Sequence, residues 1–284
     1  MTQFRTPKIE RRAKIYKQAY AAVLNNPHWF SDRPNLLKET FNAENTRNRA
    51  DIVIAILRRA ARRKTESDLS QQYLSLADKL TNCRRHRCGS SACLECLRAF
   101  QQAKTVAHRR IISHLAAKYP RTLWCIVTIV PLELTYPRGT LHEFDPGEFN
   151  QHLKETLAHG DIFRPFLGSI DFSLELSRIG KYWQPHWHFP LHTSDPRCLR
   201  ELLRELFPPM VKYDYSVDVT EAYNLNFLPY LHKIIKIIVL LRTGRTHLPE
   251  LLFALDQINP LDLLVFQGLV LSAQDGGFNF DLAS

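Results

Sequence analysis

The chain has 284 residues, 45% of them apolar, and a formal net charge of +10. That apolar fraction supports a packed core and excludes a disordered chain, and the length allows one large domain or two smaller ones. The basic balance, with a pI of about 9.4, points to an acidic partner, nucleic acid first and an anionic membrane surface second.

No stretch reaches the roughly 18 continuous apolar residues that span a bilayer. The most apolar run, 234–241, is broken by Lys236. The first residues carry no apolar signal core, so the expectation is a cytoplasmic protein without a membrane segment.

Residues 1–82 read as a helical region. Residues 8–24 scatter apolar positions among Arg11, Arg12, Lys14 and Lys17. Residues 48–63 place Ile52, Val53, Ile56, Leu57 and Ala60 on one broad face and end in Arg58, Arg59, Arg62 and Arg63. Residues 66–80 form a further amphipathic segment through Leu69, Tyr73, Leu76 and Leu80. The basic stripe reads as solvated surface, with a DNA-binding role left open by the overall charge.

A cysteine cluster follows. Cys83, Cys88, Cys93 and Cys96 have the spacing C-x4-C-x4-C-x2-C. In a reducing compartment such a cluster indicates metal rather than disulfides, and the closing C-x2-C is a usual knuckle spacing for structural Zn²⁺. His86 is an alternative ligand in place of Cys83 or Cys88. Arg84, Arg85 and Arg87 crowd the same loop and suit contact with DNA phosphates. Cys125 and Cys198 are isolated and read as structural. Residues 97–118 continue as a helix, closing a zinc-binding segment over 83–120.

At Pro120 the pattern changes. Residues 123–130 are short and β-branched, a buried strand. Residues 146–157 read as a helix capped by Asp145 with Pro146 at its first position. Residues 168–176 alternate, Ile170, Phe172, Leu174 and Leu176 on one face and Asp171, Ser173 and Glu175 on the other. After a turn near Gly180 comes a strand with His186 and His188 two apart. On a strand these two imidazoles project together and make a half-site for a divalent metal; the plain alternative is two ordinary histidines on a half-exposed strand. Asp195 and Pro196 start a helix running to about 206. A strand over 211–219, a helix over 226–241, shorter helical pieces to about 271 and a loose tail after 273 complete the reading. The expected class is α+β, with units 1–82, 83–120, 121–245 and a C-terminal 246–284 of helices and tail.

Tyr230 and Lys233, three apart, share a helix face. This Tyr-x-x-Lys downstream of the His-Trp-His strand resembles the HUH endonucleases, specifically the rolling-circle replication initiators of plasmids and phages. Ile126-Val-Thr-Ile-Val-Pro131 is similar to the first motif strand of that group. The 168–175 and 184–188 stretches are similar to its histidine hairpin, and the cysteines to a segment preceding its first motif. The resemblance covers about 81–240. Gln184 stands where many members have another histidine, and the cysteines are more spread.

The resemblance implies an antiparallel nuclease core of ferredoxin-like or RRM-like type. It also implies a tyrosine hydroxyl attacking single-stranded DNA at a replication origin, a 5′-phosphotyrosine intermediate, and a host helicase as a further partner. Tyr230 is the implied nucleophile, with Tyr223 as competitor, and Lys233 adds a cation. His186 and His188 would hold Mg²⁺ or Mn²⁺. A hard cation calls for a carboxylate as well: Glu175 first, Asp171 second, with His192 a weaker third choice. Some initiators carry a glutamate one helical turn before the tyrosine. Here that position is Asn226, and Glu221 lies further upstream. The rivals are a DNA-binding protein with a degenerate nuclease core, a metal-dependent hydrolase using water, and a transposase or relaxase of the same chemistry.

Overall fold

The computed structural model describes residues 7–32, 42–63, 67–120, 122–177, 180–209, 216–222, 228–231, 237, 240–241, 245–274 and 276–283. The N-terminal part is helical: α1 (Pro7–Leu24), α2 (Ala43–Arg63) and α3 (Ser67–Asn82). The long helix α4 (Leu94–Lys118) leads into β1 (Leu123–Ile129) and the short β2 (Tyr136–Pro137). Then come α5 (Pro146–His159), β3 (Phe166–Ser177), β4 (Gly180–Thr193), α6 (Pro196–Leu206), β5 (Val217–Ala222) and α7 (Leu228–Leu231). The chain closes with α8 (Leu248–Asp256), β6 (Leu264–Gln267), β7 (Leu269–Gln274) and β8 (Gly277–Leu282).

Local signals account for the clearest boundaries. Asp145 accepts from the Gly147 and Glu148 amides at the start of α5, and Asp195 from the Arg197 and Cys198 amides at the start of α6. Each carboxylate satisfies donors that the first helical turn leaves open, and proline at the first position loses no bond there.

The strands form an antiparallel sheet of order β5-β1-β4-β3-β6, with β2 also paired to β4. The histidine strand β4 is therefore central. One face is apolar: Cys125, Val127 and Ile129 of β1 and Trp187, Phe189 and Leu191 of β4 pack with Phe149 and Leu153 of α5 and Leu203 of α6. Phe149 stacks on Trp187 with ring centroids 4.0 Å apart. On the opposite face lie Trp124, Ile126, Thr128, Ser169, Asp171, His186 and His188, by strand alternation and register. Ile112 of α4 and Leu228 and Leu231 of α7 pack on Trp124 and Ile126 there.

Helix α4 runs through the middle of the molecule, between this face and a second layer made by α1 and the β7–β8 hairpin. Two of its basic residues, Arg98 and Lys104, are buried and act as internal struts. Arg98 donates to the Phe30 and Ser31 carbonyls and pairs with Asp32. Lys104 donates to the Pro260 carbonyl at 2.6 Å, and burial pushes its pKa down to about 7. Burial also pushes His108 down to about 3.

The unfolded chain returns His108 to about 6.5. Between these values the unfolded state binds more protons, so stability falls as pH falls, with a slope of up to about 1.4 kcal/mol per pH unit. His108→Gln is expected to flatten this part of the profile; urea midpoints at about pH 7 and about pH 4.5 measure it.

The C-terminal segment corrects the sequence reading. Residues 264–267, 269–274 and 277–282 are strands, not helical pieces followed by a loose tail. The run Leu264 to Leu271 is short, and periodicity alone does not separate a buried strand from a buried helix at that length. Gly268, at φ +63°, breaks the run in a conformation that favours glycine. β6 then adds to the sheet edge beside β3, while Phe278 and Phe280 of the hairpin are buried with α4. Likewise the strand expected over 211–219 is found at 217–222, with 210–215 outside the described residues.

Candidate active site and cysteine cluster

The loop between α3 and α4 brings the four clustered cysteines together. Cys83 Sγ lies 3.4 Å from Cys96 Sγ and 3.5 Å from Cys93 Sγ, and Cys88 Sγ lies 3.8 Å from Cys96 Sγ. All four sulfurs fall within 4.8 Å of one another. A tetrahedral Zn²⁺ with Zn–S bonds of about 2.3 Å spaces its sulfurs about 3.8 Å apart, so the set fits a closed, four-thiolate structural site. Hydrogen bonds from Cys88, Cys93 and Cys96 hold Cys83 below the ordinary thiol range; the contact with Cys83 and burial push Cys93 and Cys96 up. A cation held by the four thiolates would supply the charge that lets all of them ionise together. His86 stays in an exposed turn outside the set.

Gly89 lets the loop close. Its φ is +66°, and a Cβ there would stand 1.6 Å from the Tyr20 hydroxyl and 2.9 Å from Leu24 Cδ1. Tyr20 itself is raised to about 12, by burial first and the neighbouring Cys96 and Cys88 thiols next. Gly89→Ala is expected to cost about 2 kcal/mol or more; thermal melting of the metal-loaded protein checks it.

The arginines of this loop are only partly available to a ligand. Arg84 binds Asp51 at 2.8 Å and Glu95 at 3.4 Å, and Arg87 binds Glu95 at 3.0 Å. Arg85 is exposed. Cys125 is buried as expected of a structural thiol and is raised to about 11 by burial, whereas Cys198 is exposed on α6.

On the central sheet, Asp171, His186 and His188 place one ligand atom each within 4.8 Å of one another. The register explains which carboxylate is present: Asp171 lies opposite His186, while Glu175 lies opposite Tyr182. Alternation gives both acids the right face, and pairing places only Asp171 beside the histidines. His192 is on the same face but stacks on Tyr119 at 4.5 Å and meets Trp124 edge-on; it takes no part in the set.

The rings are oriented from behind. His186 Nδ1 lies 3.1 Å from the Gln184 carbonyl. A carbonyl only accepts, so Nδ1 carries a proton, and in the neutral ring Nε2 keeps a lone pair toward Asp171 Oδ2, 3.9 Å away. His188 Nδ1 is 2.8 Å from Thr128 Oγ1 on β1. The Nε2–Oδ2 separation is too long for a hydrogen bond and suits two ligands of one ion at roughly 2.0–2.4 Å each. The set is sheltered, with the His186 side chain 8% and the Asp171 side chain 18% exposed.

The short helix α7 lies against this face. The Ser169 hydroxyl donates to the Leu231 carbonyl, and Ser169 is the register partner of His188. Tyr230 is the residue before Leu231 in α7. Lys233, Tyr223 and Asn226 lie outside the described residues. Glu221 pairs in register with Cys125, on the apolar side of the sheet, whereas Asp218 pairs with Thr128, the partner of His188. Asp218 is thus a carboxylate of the histidine face that sequence reasoning missed. The Val217–Asp218–Val219–Thr220 alternation was the available signal.

No family model matches the chain, and no curated protein or solved structure does so either.

Proposed function

We propose that the protein is a metal-dependent endonuclease that cuts and rejoins single-stranded DNA through Tyr230, as an initiator of rolling-circle replication. One observation carries the reading. Asp171, His186 and His188 meet on one sheet face, and the bond from Ser169 to Leu231 holds the segment bearing Tyr230 against that face. A divalent cation bound there would polarise a phosphoryl oxygen and offset charge developing at the scissile phosphate. The two imidazole donors favour Mn²⁺ over Mg²⁺, which prefers oxygen and water.

In this reading the Tyr230 hydroxyl loses its proton and its oxygen bonds to phosphorus. The P–O3′ bond breaks, and the departing oxygen takes up a proton. The products are a 5′-phosphotyrosine and a free 3′-hydroxyl; attack by a 3′-hydroxyl reverses the step and joins strands. Lys233 would add positive charge near the phosphate. The Cys83–Cys88–Cys93–Cys96 cluster, holding Zn²⁺, has a structural role apart from the chemistry.

The test is incubation with a pool of labelled single-stranded DNA and Mn²⁺, followed by mass mapping of DNA-linked peptides. The expected result is an adduct on Tyr230 that Tyr230→Phe abolishes. Cleavage retained in Tyr230→Phe with no adduct would assign a water nucleophile instead, and an adduct on Tyr223 would move the nucleophile there.

A further inference from the structure

An arginine-rich surface lies on α2 and the cysteine loop. Arg58, Arg59 and Arg62 line an open groove of about 490 Å³ together with Asp51 and Thr81. An adjoining cleft shares Asp51, Ile54 and Thr81 with it and carries Arg84. Arg85 and Arg87 continue the surface along the loop bracketed by Cys83 and Cys88. The carboxylates there are Asp78, bound to Arg58 at 3.2 Å, with Asp51 and Glu95 on Arg84 and Arg87. Among the described residues no carboxylate forms an ion pair with Arg59, Arg62 or Arg85. The surface is therefore positive after its internal pairs are counted.

The chemistry of the lining separates two kinds of nucleic acid. Guanidinium groups bind phosphate oxygens in bidentate fashion. Single-strand grooves add aromatic platforms on which bases stack, and among the described residues no aromatic side chain lines either cleft. The nearby Phe30 ring is covered by the Arg87 guanidinium, 3.9 Å from its centroid. Helix α2 has 21 residues, a length of about 31 Å, close to one turn of duplex.

We propose that this surface of α2 and the cysteine loop binds the phosphate backbone of duplex DNA. It is a second site, separate from the histidine face that would act on a single strand. The cysteine cluster then has a binding role as well: by holding Cys83 and Cys88 it fixes the loop that carries Arg84, Arg85 and Arg87. The inference rests on nucleic acid being the partner and not on the tyrosine chemistry.

The test uses the full-length, metal-loaded protein and a fluorescent duplex. Anisotropy is read between about 50 and 200 mM salt. The variant is Arg59→Gln/Arg62→Gln, whose exposed side chains make no ion pair among the described residues, so the helix should survive the change. Duplex affinity is expected to fall at least about tenfold, and the slope of log affinity against log salt to lessen by about one for each phosphate no longer neutralised. Duplex affinity and slope equal to wild type in the variant would overturn the proposal. So would wild-type protein that ignores the duplex but binds phosphatidylserine vesicles, which would make a membrane surface the partner. Adduct formation on a short single-stranded oligonucleotide is measured in parallel. If wild type forms no adduct yet loses duplex binding in the variant, the duplex surface stands and the Tyr230 reading falls.

Discussion

Asp171→Asn is expected to lower Mn²⁺-dependent cleavage by at least about 100-fold, a loss of the size seen when one transition-state stabilising group is removed. The substitution is nearly isosteric. The Oδ1 atom that accepts from the Phe172 amide at 2.8 Å remains an oxygen, so the fold should melt as wild type does. What disappears is the charge opposite His186. His186→Ala and His188→Ala are expected to give losses of the same order. His186→Ala also opens a gap behind the sheet, since that side chain is buried, and costs about 1–3 kcal/mol of stability. EDTA should abolish cleavage and Mn²⁺ restore it. Glu175→Gln is the contrasting variant: opposite Tyr182 rather than a histidine, it should leave Mn²⁺ affinity near wild type. Unchanged cleavage in the double variant His186→Ala/His188→Ala would refute the metal assignment.

Cys96→Ser should cost about 4 kcal/mol or more, a drop in melting temperature of about 10 °C for a chain of this size. Cys96 is fully buried in the first turn of α4 and touches both Cys83 and Cys88. Losing it breaks the tetrahedral set and leaves three thiols that burial and mutual contact keep from ionising together. The damage should spread, because the helix beginning there runs between the sheet and the α1–hairpin layer. Elemental analysis of wild-type protein should find one tightly bound zinc per chain, released by acid as the thiolates take up protons. Protein that carries no zinc and melts like Cys96→Ser would remove the structural-metal role.

Much of the local structure was legible in the chain itself. The helix caps at Asp145 and Asp195 follow from a short acidic side chain ahead of proline, and the helices after residues 43 and 67 from their apolar period. The His186–His188 pair shares a face because strand side chains alternate, and the cysteine cluster announces itself by spacing. Residue pattern determines these features because they depend on neighbours a few positions away. The tertiary structure decided the rest. Alternation placed Asp171 and Glu175 on one face, but only the register of β3 against β4 put Asp171 opposite His186. Arg98, Lys104 and His108 are internal only because two layers close on α4 and bury them. The run 264–267 became strand because β3 had an edge to fill, and 269–274 because it pairs with 277–282. Asp218 joined the histidine face through pairing of β5 with β1. In each case the deciding contact joins residues far apart in sequence, where periodicity carries no information and the gain from burial and hydrogen bonding selects the partner.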